Sequence, residues 1–344
     1  MEKPWLSKYE PHVPASLAYP DKTLPQLLAD VARRFPERPA TIFFKARLTY
    51  GQLNDLVNRC AAGLQRMGVR KRDRVAILIP NSPQYIIAYY GILRIGAIAV
   101  PCNPLYVARE LNYQLKDSGA RVIFALSRFY NTVKEAQPGT PLEQIVVTNI
   151  KEYFPPVLRI LFTIAREAKE GHRADISKDP SARWLPNFLA TAPGMPKGVE
   201  IGLDDTAVLL YTGGTTGVPK AAELSHRNIM VNAVQTGVWF GAKEGEETVL
   251  AALPLSHSYG MTTAMNFPVY AGATMLLIAN PRDIHDVLEN IQRFKPTAYP
   301  GVPTMYVAIN NYPKVSEYNL SSIKACISGG APLPVEVQKR FQEI

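Results

Sequence analysis

The sequence predicts an α/β fold built on mostly parallel sheets, and three observations carry that prediction. Short, near-continuous apolar runs rich in β-branched residues alternate with segments of helical spacing. Strands buried on both faces by flanking helices read in this way. The pattern holds from about residue 75 to 147, breaks, and resumes after 200. With 344 residues, 47% apolar and 19% charged, the chain can bury one large core or two ordinary ones.

The elements follow in order. Residues 75–79 (VAILI) predict a buried strand, 83–94 a helix, 97–100 a strand and 108–117 a helix. Further strands are expected at 122–125 and 144–147. In the second half, strands are expected at 207–211, 249–252, 274–278, 297–299 and 323–327, with helices between them. The segment 152–187 interrupts the pattern. Within it, 156–170 places Arg159, Thr163, Arg166 and Glu170 on one helical face, with Val157, Leu158, Ile160, Leu161, Phe162 and Ile164 covering the rest. Such a helix either lies in a membrane interface or packs on the domain as ordinary core.

Composition narrows the function classes. Cys60, Cys102 and Cys326 are odd in number and show no CxxC spacing, so buried free thiols are expected rather than a disulfide framework. Residues 1–20 contain no apolar run of the signal-peptide kind. Residues 248–281 carry no charge, but Pro254, His257, Gly260, Asn266, Pro268 and Gly272 interrupt them. A membrane span needs about 20 continuous apolar residues, so this stretch reads as buried core beside a ligand pocket in a cytoplasmic protein. Net charge is +9, which suits a polyphosphate ligand or an anionic surface. No zinc-finger spacing, RNP-type motif or long basic run is present, and nucleic acid is not an expected partner.

Residues 211–220 read Y-T-G-G-T-T-G-V-P-K, directly after a predicted strand. Glycines permit tight turns and free backbone N–H groups to face anions. Thr212, Thr215 and Thr216 add hydroxyls and Lys220 a positive charge, so the segment has the parts of a phosphate-holding loop. A Gly-rich surface turn has the same composition. A Walker loop is excluded, because Val218 and Pro219 separate Gly217 from Lys220. A dinucleotide fingerprint is excluded too, since no two glycines in the chain flank a single residue.

This segment, with Ser225-His226 after it, resembles the signature loop of the adenylate-forming superfamily, which includes acyl-CoA synthetases, luciferases and peptide-synthetase adenylation domains. Ala221 stands where Gly is usual. Other blocks match in order: Leu48 to Leu53, Gly68 to Ile77, Gly91 to Pro104, Leu253 to Gly260 (LPLSHSYG) and Ser328 to Leu333 (SGGAPL). The resemblance covers essentially the whole chain. Within the superfamily the chain resembles long-chain fatty acid–CoA ligases, and the resemblance implies two packed α/β subdomains, 1–72 with 245–344 and 73–244, the latter including a membrane-associating insertion at 152–187.

The implied reaction joins a fatty acid to ATP as acyl-AMP, then to CoA as acyl-CoA. By resemblance, Thr212, Gly213, Gly214, Thr215, Thr216, Gly217 and Lys220 hold the phosphates. Gly329, Gly330, Ala331 and Pro332 face adenine. His257, Tyr259 and Gly260 line the acyl site, and Lys220 and His257 are the catalytic candidates. A core histidine and simple packing are the bland readings of His257 and Tyr259. His12, His172, His226 and His285 are expected to be solvated or to cap helices. ATP, Mg2+ and CoA are the implied cofactors. A homodimer and a peripheral membrane contact through 156–170 are further expectations. The family's magnesium-binding Glu, ribose-binding Asp and C-terminal catalytic Lys are expected beyond Ile344, which makes these residues an N-terminal portion that is inactive alone. An aryl-CoA ligase of the 4-coumarate type and a non-catalytic nucleotide- or acyl-binding module are the competing readings.

Overall fold

The computed structural model describes residues 3–212 and 219–344. Helix α1 (Leu24–Arg34) precedes a hairpin of β1 (Pro39–Phe43) and β2 (Ala46–Thr49), followed by α2 (Tyr50–Arg66). Then come β3 (Arg74–Leu78), α3 (Pro83–Arg94), β4 (Ile98–Pro101), α4 (Ala108–Ser118), β5 (Val122–Leu126), α5 (Tyr130–Ala136) and β6 (Gln144–Thr148). Next are α6 (Pro156–Ala165), β7 (Ala182–Trp184), α7 (Leu185–Thr191), β8 (Thr206–Thr212), β9 (Lys220–Ser225) and α8 (His226–Trp239). The remainder is β10 (Thr248–Ala251), the turn α9 (Ser258–Gly260), α10 (Phe267–Ala271), β11 (Thr274–Leu277) and α11 (Ile284–Phe294), then β12 (Ala298–Gly301), α12 (Pro303–Asn310), β13 (Ala325–Ser328) and α13 (Val335–Glu343).

The strands form two sheets. One has the order β13-β12-β10-β11-β1-β2 and the other β7-β6-β5-β3-β4-β8-β9. All neighbours pair in parallel except the edge pairs β1–β2 and β8–β9. Alternation along the strands sorts the core into layers. Val75, Ile77 and Phe124 of one sheet and Ala40, Phe43, Ala251 and Met275 of the other join a single cluster with residues of α1, α2 and α3. The intervening residues Ala76, Leu78, Ile123 and Ile145 pack outward on α4 and α5. Ile42, Leu250 and Leu276 pack on α11 and α12. The result is a layered α-β-α-β-α body with the largest core between the sheets.

The sequence anticipated every strand with a parallel partner on both sides, but missed β1, β2, β7 and β9. The β1–β2 turn carries positive φ at Phe44 (46°) and Lys45 (74°). Hairpins of that kind are signalled by Asn-Gly or Asp-Gly, and neither is there. β7 is a three-residue edge strand, and β9 was hidden at the tail of the presumed loop.

Segment 156–170 departs from expectation in two ways. The helix stops at Ala165, and Phe162 is core, stacked edge-on against Phe154 and His172. His172 is buried rather than solvated, and His226, which begins α8 as expected, is buried as well; burial lowers the pKa of both to about 4. Cys326 is exposed, unlike buried Cys60 and Cys102. No helix among the described residues is long and apolar enough to cross a membrane.

Candidate active site

The candidate residues stand where strands end. Thr212 closes β8, His257 follows β10 and Gly329 follows β13. In open α/β sheets the crevice beyond the carboxyl ends of strands is where ligands bind.

Thr212 and Lys220 face each other as the last pair of the β8–β9 ladder. The Thr212 hydroxyl donates to the Lys220 carbonyl at 3.3 Å, and both side chains are exposed. Gly213, Gly214, Thr215, Thr216 and Gly217 lie outside the described residues. Lys220 therefore opens a strand instead of sitting within a loop. Five residues on, Ser225 caps α8: its hydroxyl accepts from Asn228 N while Asn228 Oδ1 accepts from Ser225 N. His226 is the first residue of that helix, its imidazole enclosed without a hydrogen-bond partner among the described residues.

The turn after β10 is built around Asn81, which sequence reasoning did not single out. Buried at the end of β3, it donates to the carbonyls of Ala251 (3.0 Å) and Leu253 (2.8 Å) and accepts from Leu255 N (2.9 Å). The Tyr85 hydroxyl donates to the Leu255 carbonyl at 3.1 Å. One side chain of one sheet thus fixes the turn of the other. Its N-P dipeptide-free context, Pro80-Asn81-Ser82, carries no motif that would have exposed it.

His257 is exposed, so the satisfied-core reading fails for it. Its Nδ1 accepts from Tyr259 N at 3.2 Å, which leaves Nε2 as the proton-bearing nitrogen of the neutral ring. Gly260 is required by space, since a Cβ there would stand 2.1 Å from the Pro254 carbonyl oxygen. A π-helical segment, Met261–Asn266, follows, and Asn266 Nδ2 satisfies the Met261 carbonyl at 2.9 Å. Such segments often mark functional sites.

Two sequence motifs meet at Tyr259. Its hydroxyl donates to the Ile327 carbonyl at 2.7 Å, and a Cβ on Gly329 would lie 2.9 Å from its ring. Gly329 is thus the small residue that lets the ring close on the turn. Gly330 sits at φ +81°, a conformation glycine adopts without strain. Ala331 and Pro332 are exposed.

A groove of about 470 Å³ runs between α8 and the segment after His257, with Leu224, Ile229, Val231, Ser258, Met261 and Thr262 among its lining. It joins the β9–α8 corner to the His257 turn. Tyr259 and Gly260 do not line it. A second cleft, about 500 Å³, borders Ser328 and Leu333. Among the described residues no group of three or more His, Cys, Asp or Glu is placed to hold a metal.

Two mostly parallel sheets carry the candidate motifs at their strand ends, and residues 28–344 match the model of the AMP-binding enzyme family. The chain belongs to that family. It is 38% identical over 352 residues to a long-chain-fatty-acid–CoA ligase of Bacillus subtilis and 34% identical over 354 residues to one of Salmonella typhimurium. All of this chain is covered in both, against 61% and 62% of those relatives. The crystal structure of a long-chain-fatty-acid-CoA ligase from Archaeoglobus fulgidus superposes with a TM-score of 0.80 at 25% identity, over 98% of this chain and 63% of that one. The chain therefore spans about three-fifths of the length of these relatives.

Proposed function

We propose that these residues form the ATP- and acyl-binding portion of an AMP-forming fatty acid–CoA ligase. The observation that carries this reading is the groove between α8 and Ser258–Thr262, which links the strand headed by Lys220 to the turn bearing His257. The fatty acyl chain occupies that groove, its carboxylate beside His257. A carboxylate oxygen attacks the α-phosphorus of ATP, the bond to the β-phosphate breaks, and pyrophosphate leaves. The CoA thiolate then attacks the acyl carbonyl and displaces AMP. Fixed hydroxyl and ammonium donors favour the charge that gathers on the phosphates; Thr212 and Lys220 supply them, with Gly213, Gly214, Thr215, Thr216 and Gly217. Nε2 of His257 donates to the carboxylate or α-phosphate. Tyr259 and Gly260 shape the turn between the acyl and adenine sides, and Gly329 to Pro332 form the surface for adenine. The described residues offer no carboxylate set for magnesium, and no step here runs through the metal. Sheet membership supports reading 1–72 with 245–344 as one subdomain and 73–244 as the other.

The test is pyrophosphate exchange by the full-length protein with octanoate, laurate, palmitate and 4-coumarate, with Lys220→Ala as control. A charged hydrogen bond to phosphate is worth roughly 1.5–3 kcal/mol, so Lys220→Ala should slow exchange about ten- to a hundredfold. Preference for 4-coumarate, or unchanged exchange in the variant, would remove the fatty-acid assignment or the role of Lys220 respectively.

A peripheral membrane contact through α6 is a second proposal, favoured by the exposure of Val157 (71%), Ile160 (60%), Leu161 (58%) and Ile164 (80%) on one short helix. Arg159 lies on the opposite side of the helix, in a groove with Glu152 and Tyr153, which leaves the exposed face apolar, as an interfacial helix presents it to lipid. Leu161→Ser with Ile164→Ser should weaken binding to anionic vesicles without lowering the melting temperature. A lowered melting temperature would assign the face to folding instead.

A further inference from the structure

We propose that α4 is a clamp that sets the spacing between Thr212 and Lys220, with Tyr113 and Asp117 as positioning residues for the triphosphate; this rests on the phosphate-binding reading above. The two residues are four apart on one helical face. The Tyr211 hydroxyl donates to Asp117 Oδ2 at 2.5 Å, and the Tyr113 hydroxyl donates to the Pro219 carbonyl at 2.9 Å. Tyr211 immediately precedes Thr212, and Pro219 immediately precedes Lys220. One helix therefore holds the chain on each side at the residue before a phosphate donor, through the Tyr211 side chain on β8 and the Pro219 carbonyl ahead of β9.

The grip compensates for a weakness of the sheet. β9 is the outermost strand, paired on one side only, and Thr212–Lys220 is the last pair of its ladder. Such an end frays unless something holds it. By contrast α4 is firmly seated. Leu111 and Leu115 are fully buried, Gln114 Nε2 donates to the Pro101 carbonyl at 2.9 Å, and Asn112 Nδ2 donates to the carbonyls of Ala136 and Pro138 at 2.7 and 2.8 Å. Burial and the neighbouring Asp117 hold the Tyr211 hydroxyl far above its usual range, so it remains a donor. Neither contact is needed to fill the core, since Asp117 is exposed and Tyr113 half-buried. Their consequence is preorganisation of two donors, which removes part of the ordering cost of binding.

ATP affinity and melting temperature of the chain test the clamp in Tyr113→Phe, Asp117→Ala, Asp117→Asn, Tyr211→Phe and Lys220→Ala. Tyr113→Phe and Asp117→Ala should each raise the Kd for ATP about two- to tenfold at unchanged melting temperature. Asp117→Asn keeps an acceptor for Tyr211 and should bind ATP at least as well as the wild type. Asp117→Ala with Tyr211→Phe should cost no more than either alone, because both remove one contact. Wild-type affinity in Tyr113→Phe and Asp117→Ala alongside weakened binding by Lys220→Ala overturns the clamp but not the phosphate site. Unchanged affinity in Lys220→Ala as well overturns both.

Discussion

A Cβ on residue 260 would meet the Pro254 carbonyl oxygen at 2.1 Å, and that oxygen is held in place because His257 N donates to it at 3.1 Å. Gly260→Ala must therefore displace the turn that presents His257. Overpacking of this kind costs about 1–3 kcal/mol, so urea unfolding should show that loss, together with slower pyrophosphate exchange. A variant as stable as the parent would mean that the turn yields freely. Glu152 offers a second check at this scale. Burial raises its carboxyl to about 7, against hydrogen bonds from Thr148 Oγ1 and Asn149 N that favour the ionised form. With the folded value above the unfolded one, the native state binds more protons between about pH 4.5 and 7. Stability from this group accordingly falls as pH rises through that window. Glu152→Gln, which keeps a side-chain acceptor, should be more stable than the parent at pH 8, with the difference shrinking towards pH 5. A difference that grows towards acid would reverse the sign of the argument.

At the level of elements, the β1–β2 turn holds Lys45 at φ 74°. A non-glycine residue in left-handed backbone loses roughly 1–2 kcal/mol, and glycine returns part of this as unfolded-chain entropy. Lys45→Gly should gain about 0.5–1 kcal/mol in denaturant unfolding; a loss would mean that the lysine side chain makes up for its backbone. The same turn shows why some elements were illegible in the sequence. Periodicity reported the strands that helices cover, such as β3 and β5, because burial on both faces leaves a solid apolar run. The edge strands β2 and β9 escaped it: they carry Arg47, Lys220 and Glu223, and their strand character comes from pairing rather than from apolar pattern. For α6 the periodicity was visible but its meaning was not. Phe162 turns into the core beside Phe154 while Leu161 stays outside, and a helical wheel cannot tell which apolar side chain finds a partner.

Across the whole molecule, the two sheets are tied at their carboxyl ends by Asn81 and Tyr85, and there motifs far apart in sequence come together. Thr212, Lys220, His257 and Gly329 were readable as candidates because the motifs around them resemble those of the adenylate-forming superfamily, whereas composition alone left a Gly-rich surface turn open. Asn81 and the Tyr113–Asp117 pair were not readable, since each acts through contacts more than 90 residues away in sequence. The groove beside α8 was likewise invisible: its walls come from two distant segments. The most direct test of the account is binding of two non-hydrolysable acyl-adenylate analogues, dodecanoyl- and acetyl-sulfamoyl adenosine, to the parent chain and to Val231→Trp. Val231 lines the groove, so the added indole should fill it. The account predicts that the parent binds the dodecanoyl analogue more tightly, and that Val231→Trp loses this advantage while keeping its affinity for the acetyl analogue. An undiminished preference for the long chain in Val231→Trp would contradict it and place the acyl group elsewhere.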